Sequence, residues 1–138
     1  MNPSAITVSA TVDASLEKTW DYWTKPEHIV NWAFASDDWH CPKATNDATT
    51  GGKFSSTMAA KDGSMSFDFE GIYDEVIDHK KITYTIADGR KVEILFEGQN
   101  GKTLVTETFD PESMNPIEMQ RGGWQAILDN FKKYTEGN

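Results

Sequence analysis

The chain has 138 residues, 38% hydrophobic and 12% aromatic, which suits one domain around one core. Its 13 basic and 22 acidic side chains give a formal net charge of −9, which argues against a nucleic-acid or anionic-membrane binder, because phosphate contact needs a basic face. With Cys41 as the single cysteine no intramolecular disulfide can form, no signal peptide is evident, and no apolar run approaches the ~20 residues of a membrane helix, so a cytoplasmic protein without membrane insertion is expected.

Near the start, Ile6, Val8, Ala10 and Val12 alternate with polar residues, the period of a strand with one buried face. Asp13 or Ser15 can cap the next segment, where Leu16, Trp20 and Trp23 fall at helical spacing. In "TKPEHIVNW", Thr24 and Glu27 have capping-box spacing and Pro26 sits in the first turn, predicting a second short helix. Residues 33–52 lack clear periodicity and read as a long loop, of a length that is often functional.

From Gly52 the chain reads as a meander of five antiparallel strands. Asp62-Gly63, Asp88-Gly89 and Asn100-Gly101 suit tight hairpins with positive φ, and a further turn is expected near His79-Lys80. Gly71, inside a strand pattern, predicts a bulge or bend. After "DPESMNP" a helix is expected, capped by Asn115 with Pro116 at its first position. Ile117, Trp124, Ile127, Leu128, Phe131 and Tyr134 form its apolar face. Gly122 and Gly123 fall inside this helix, where close approach to the sheet or a kink would account for them.

The predicted order, one strand, two short helices, five strands and a long helix, is an α+β single domain over 1–138: an antiparallel sheet of about six strands burying one face on a C-terminal helix. It resembles the START-like superfamily, also called SRPBCC or Bet v 1-like, with its helix-grip fold. Within that superfamily it is similar to the family named for homology to the activator of the heat-shock-protein-90 ATPase. The resemblance is carried by "VDASLEKTWDYWTKPEHIVNW", "SDDWHCPKATND" leading to "GGKF", "AKDGSMSFDFEGIYDEVIDHKKITYT", "TETFDPE" and "GGWQAILDNF", in order along nearly the whole chain. It implies a curved sheet gripping the helix around a cavity, in which other superfamily members bind lipids, sterols, hormones or polyketides. The eukaryotic activator also has an N-terminal chaperone-binding domain; this chain resembles only its C-terminal part. Small bacterial members commonly have an Asp-Leu-Arg-type run before the Gly-Gly, where this chain has Asp47-Ala48-Thr49-Thr50.

An apolar binding site needs aromatic and flexible side chains around a concave space, with a few polar groups to orient a ligand. Such residues abound here, and their plainer role is to fill a core. The candidate ligand-binding set is Trp32, Phe34, Met58, Phe67, Phe69 and Tyr84, with Trp124, Ile127, Leu128 and Phe131 from the helix. The "DDWHCP" loop is expected to shape the mouth, with Trp39 and His40 as polar-tipped contacts. His28, His40 and His79 lack metal spacing, and no nucleophile signature surrounds Cys41, so no metal, cofactor or catalytic residue is assigned. The expectation is a non-catalytic protein holding an apolar or amphipathic small molecule. A co-chaperone partnered with a chaperone, or a polyketide cyclase-like enzyme, are the alternatives.

Overall fold

The computed structural model describes residues 4–138. Along the chain run β1 (Ile6–Val12), α1 (Leu16–Thr24), α2 (Pro26–Ile29), β2 (Trp39–Asn46), β3 (Lys53–Ala60), β4 (Ser66–Ile77), β5 (Lys81–Ile86), β6 (Lys91–Gln99), β7 (Lys102–Phe109) and α3 (Ile117–Gly137). The strands form one seven-stranded sheet in the order β1-β7-β6-β5-β4-β3-β2, antiparallel throughout. This is the helix-grip arrangement, with one strand more than the six expected.

The extra strand is β2, which occupies the stretch expected to be a loop. Its sequence, "WHCPKATN", does not alternate, and its burial is correspondingly irregular. Pairing with β3 holds it extended, with a register shift between His40 and Lys43. Pro42 lies at that shift on an edge strand, the two settings in which a missing N–H is tolerated. The core side of the sheet takes alternate residues: Ile6, Val8 and Val12 of β1, Ile82, Tyr84 and Ile86 of β5, Val92, Ile94 and Phe96 of β6.

Ser15 caps α1 by accepting from Lys18 N–H at 3.1 Å. The capping box expected at Thr24 does not form. Thr24 instead ends α1, its hydroxyl donating to the Trp20 carbonyl at 2.9 Å, and α2 follows from Lys25 with Pro26 in its first turn. The Asn115 side chain does not cap α3 either. Pro116 takes the cap position, and the Asn115 carbonyl accepts from Gln120 Nε2 at 2.8 Å.

Two expected turns differ in detail. Asn100 and Gly101 both have positive φ, 54° and 83°, the signature of a type I′ hairpin. At Asp62-Gly63 and Asp88-Gly89 only the glycine is left-handed, and each aspartate accepts from the backbone N–H two residues on. Gly71 sits in regular register between Phe54 and Ile86, while the irregularity lies further on, between Tyr73 and Glu75. Its missing side chain serves close approach: a Cβ there would stand 2.5 Å from the Thr85 carbonyl oxygen and 3.0 Å from the Phe54 ring.

Helix α3 packs closest on β1, where Gln125 Nε2 donates to the Ser9 carbonyl at 3.1 Å and Asp13 N–H to Glu136 at 2.8 Å. Its C-terminal half is locked by apolar contact: Leu128 and Phe131 are fully buried, and the Phe131 ring meets Trp23 and Trp32 edge-on at 4.8 and 4.9 Å. Phe96 closes the same cluster against Trp20 and Trp23. The other half of the helix stands off from β3, β4 and β5, and the space between them is the cavity. The helix runs unbroken through Gly122 and Gly123, and nothing lies within 4 Å of where either Cβ would be. Close approach to the sheet is therefore not the reason for the pair.

Candidate functional site

The gap between sheet and helix encloses about 360 Å³. That falls at the lower end of the roughly 300–1,000 Å³ usual for small-molecule sites. Its sheet wall is built by strand alternation, which turns Phe54, Ser56 and Met58 of β3, Phe67, Phe69 and Tyr73 of β4, Tyr84 of β5 and Glu107 of β7 to one side. Helix α3 contributes Gln120, Trp124 and Ile127, spaced at helical intervals. Trp23, Ile29, Trp32 and Ala33 close one end.

Of the side chains expected in a site, Trp32, Met58, Phe67, Phe69, Tyr84, Trp124 and Ile127 meet around this cavity. The others stand elsewhere. Leu128 and Phe131 have no exposure at all because they face the core on the helix's locked half. Phe34 lines a separate shallow depression with Ala126, Asp129 and Asn130. Trp39 and His40 belong to β2 rather than a mouth loop: Trp39 packs near Phe67, ring centroids 5.9 Å apart, and His40 Nδ1 lies 3.1 Å from the Ala59 carbonyl across the ladder.

The aromatic lining is continuous. Trp124 lies parallel to Phe109 and meets Phe69 edge-on at 6.0 Å; Phe54 touches Tyr73 and Tyr84 at 5.1 and 4.7 Å. The polar groups are few. Tyr73 donates its hydroxyl to Asn46 Oδ1, and Asn46 Nδ2 donates to the carbonyl of Thr24, tying β4 and β2 to the end of α1. Burial holds the Tyr73 phenol well above its ordinary pKa, so it stays a neutral donor. Gln120 is a clamp: its Oε1 accepts from Glu112 N–H at 2.9 Å and its Nε2 donates to the Glu112 carbonyl at 3.0 Å. The Glu112 carboxylate in turn accepts from the Asn115 and Met114 N–H groups, fixing the loop that enters α3.

Phe54, Tyr73, Asn46, Gln120 and Glu107 are among the lining residues that the sequence-predicted set lacks, and Glu107 is the most unexpected. It is 4% exposed, and its side chain makes no hydrogen bond or ion pair with any described residue. Burial raises its carboxyl pKa to about 8. The signal was present in "TLVTETF": Thr103, Val105 and Phe109 are all buried, and Glu107 is in phase with them. Tyr84 is its neighbour in electrostatic terms, with a phenol pushed up by burial and then by the Glu107 charge. Cys41 is buried, its thiol 3.4 Å from the Lys43 carbonyl and its pKa raised by desolvation, so it is no activated nucleophile. Among the described residues no group of three or more His, Cys, Asp or Glu side chains could hold a metal ion.

The family described as Activator of Hsp90 ATPase homolog 1-like protein matches residues 13–136. The chain belongs to this family. A solution structure of an AHSA1-like protein from Aeromonas hydrophila is 41% identical, superposes with a TM-score of 0.91, and is matched over 96% of this chain and 92% of that one. A second solution structure, from Cytophaga hutchinsonii, is 57% identical, with a TM-score of 0.82 over the same shares. A crystal structure from Nitrosomonas europaea shares the fold at 18% identity and a TM-score of 0.83, over 96% of this chain and 94% of that one. No curated protein sequence is significantly similar to the chain. The AHSA1-like family thus accounts for the fold, and the described residues include no helix long and apolar enough to cross a membrane.

Proposed function

We propose that this AHSA1-like protein binds an apolar or amphipathic small molecule between its sheet and α3, as a carrier or sensor rather than as a catalyst. The observation that carries this reading is the 360 Å³ cavity walled by aromatic side chains from three strands, two helices and the segment after α2. A protein whose aromatic residues served only to fill a core would close that space, because interiors pack at near-crystalline density and voids cost stability. The cavity also has the composition of a binding site: a mostly apolar lining with a small number of oriented polar groups. Its described lining residues include no Cys, His or Lys, the commonest activated nucleophiles and bases, which favours binding over chemistry.

Titration with fatty acids, sterols and aromatic polyketides, followed by amide resonances, tests the reading. Saturable shifts confined to residues lining the cavity are expected. Absence of saturable binding across the panel, with the cavity solvent-filled, would sink it.

A second reading is contact with a chaperone, in keeping with the family's description. It is favoured by the apolar side chains that α3 and its entry loop leave in solvent, Met114, Ile117 and Met119, of which Met114 is 89% exposed. An increased ATPase rate of a heat-shock-protein-90 homologue on adding the protein is expected, lost in the Met114→Ser/Met119→Ser variant. A flat rate at excess protein excludes it.

A further inference from the structure

Strand register sets Glu107 in an otherwise aliphatic row. Across the sheet its partners are Val8 on β1 and Ile94 on β6, and the row continues through Ile82 to Val76. A carboxyl in such a row is costly unless something meets it. A structural carboxyl would have a partner, such as an arginine or a set of backbone N–H groups. Glu107 has none among the described residues, yet it lines the cavity.

Its surroundings specify what is missing. Among the described residues Arg90 is the single cationic side chain in the cavity wall, and its charge is offset by Asp88, whose Oδ2 accepts from Nε at 2.8 Å. Glu112 is committed to the backbone N–H groups that open α3. Tyr73 on β4 spends its hydroxyl proton on Asn46, and Tyr84 on β5 presents a neutral phenol. From α3 the cavity receives Gln120, Trp124 and Ile127, none of them charged, and from the end by α1 and α2 it receives Trp23, Ile29 and Trp32. The unmet charge is therefore negative, and the rest of the cavity wall is largely aromatic. Ring faces attract cations, so both features select the same chemistry.

We propose that Glu107 anchors the polar end of the ligand, and that the cavity takes hydrophobic amines: an ammonium group on an aromatic or aliphatic body. This rests on the binding reading above and narrows it. Binding is noncovalent, and the only chemical change is proton exchange with solvent. The ammonium donates to the Glu107 carboxylate, and where that carboxyl held a proton before binding, the proton leaves to solvent. Amine affinity therefore increases as pH is raised toward 8, provided the amine itself stays charged.

The test uses three matched probes on the full chain: 2-(1-naphthyl)ethylamine, 2-(1-naphthyl)ethanol and 1-naphthylacetate, titrated calorimetrically at pH 8.5 and pH 6.5. At pH 8.5 the amine is expected to bind about tenfold or more tightly than the alcohol, with the acetate weakest. The amine-to-alcohol ratio is expected to fall about tenfold at pH 6.5, and this arm needs no variant. In Glu107→Gln, checked for folding by amide dispersion, the ratio should drop toward unity and lose its pH dependence. Alcohol and amine binding equally at both pH values would overturn the inference and leave the binding reading standing. So would a ratio unaltered in Glu107→Gln. If none of the probes binds, the inference falls together with the binding reading.

Discussion

Trp124 lies flat on Phe109, ring centroids 3.9 Å apart and planes inclined by 10°. The stack joins the free-standing half of α3 to the sheet floor, because Phe109 is fully buried while Trp124 reaches across to Phe69. Trp124→Ala should destabilise the fold by about 3 kcal/mol, from lost burial and lost stacking. Urea unfolding measures this, and the near-ultraviolet dichroism of the stack should vanish with it. Trp124→Phe should retain more than half of the stability.

The two kinds of glycine should respond in opposite directions. Gly71→Ala forces a Cβ toward the Thr85 carbonyl oxygen, which as backbone cannot move aside, and about 2 kcal/mol or more should be lost. Gly123→Ala meets open space inside a helix, and should stabilise by about 0.5–1 kcal/mol. Thermal unfolding of the two single variants compares them directly.

Glu107 makes stability depend on pH in a direction unusual for a carboxyl. Its pKa is raised from 4.5 to about 8 on folding, so between those values the folded state holds more protons than the unfolded chain. Its neutral form is accommodated fully below 4.5, and that contribution is lost as pH climbs toward 8. Glu107→Gln, which cannot ionise, should therefore gain on the wild type from pH 5 to pH 8, by several kcal/mol at the upper end. Denaturant midpoints at several pH values measure the gap. A gap that stays constant with pH would show that the carboxyl is solvated.

Cys41 should be inert in the native state. With burial pushing its thiol up and almost no exposed surface, it should react with an aromatic disulfide reagent only as fast as the protein opens. In denaturant it should react at once.

Much of this architecture is legible before any coordinates. β1, β5 and β6 alternate cleanly because each has one buried face, and α3 announces itself from Trp124 to Tyr134 because its locked half needs a continuous apolar stripe. β2 is illegible because an edge strand with a proline takes its form from pairing with β3, which no local pattern encodes. The site divides along the same line. Phe69, Tyr84 and Trp124 can be named because large aromatic side chains in phase with a buried face have few places to go. Leu128 and Phe131 have the same phase, but they sit on the half of the helix that touches the core, a distinction set by how α3 leans toward β1. Glu107 was readable from its place in the alternation, though a charge there contradicts the rule that reveals the strand.

The bare backbone at Gly122 and Gly123 should act on the opening of α3 rather than on its shape. Two glycines lower the helix-forming tendency of α3 by about 1 kcal/mol each, at the place where the helix passes from its packed half to the turns held by Gln120. The helix should therefore fray from its N-terminal end, with amides of residues 117–124 exchanging faster than those of 128–135. The wall that loosens first is the one over the cavity. Opening there would leave the sheet intact, and Gly122→Ala/Gly123→Ala should slow exchange of the 117–124 amides.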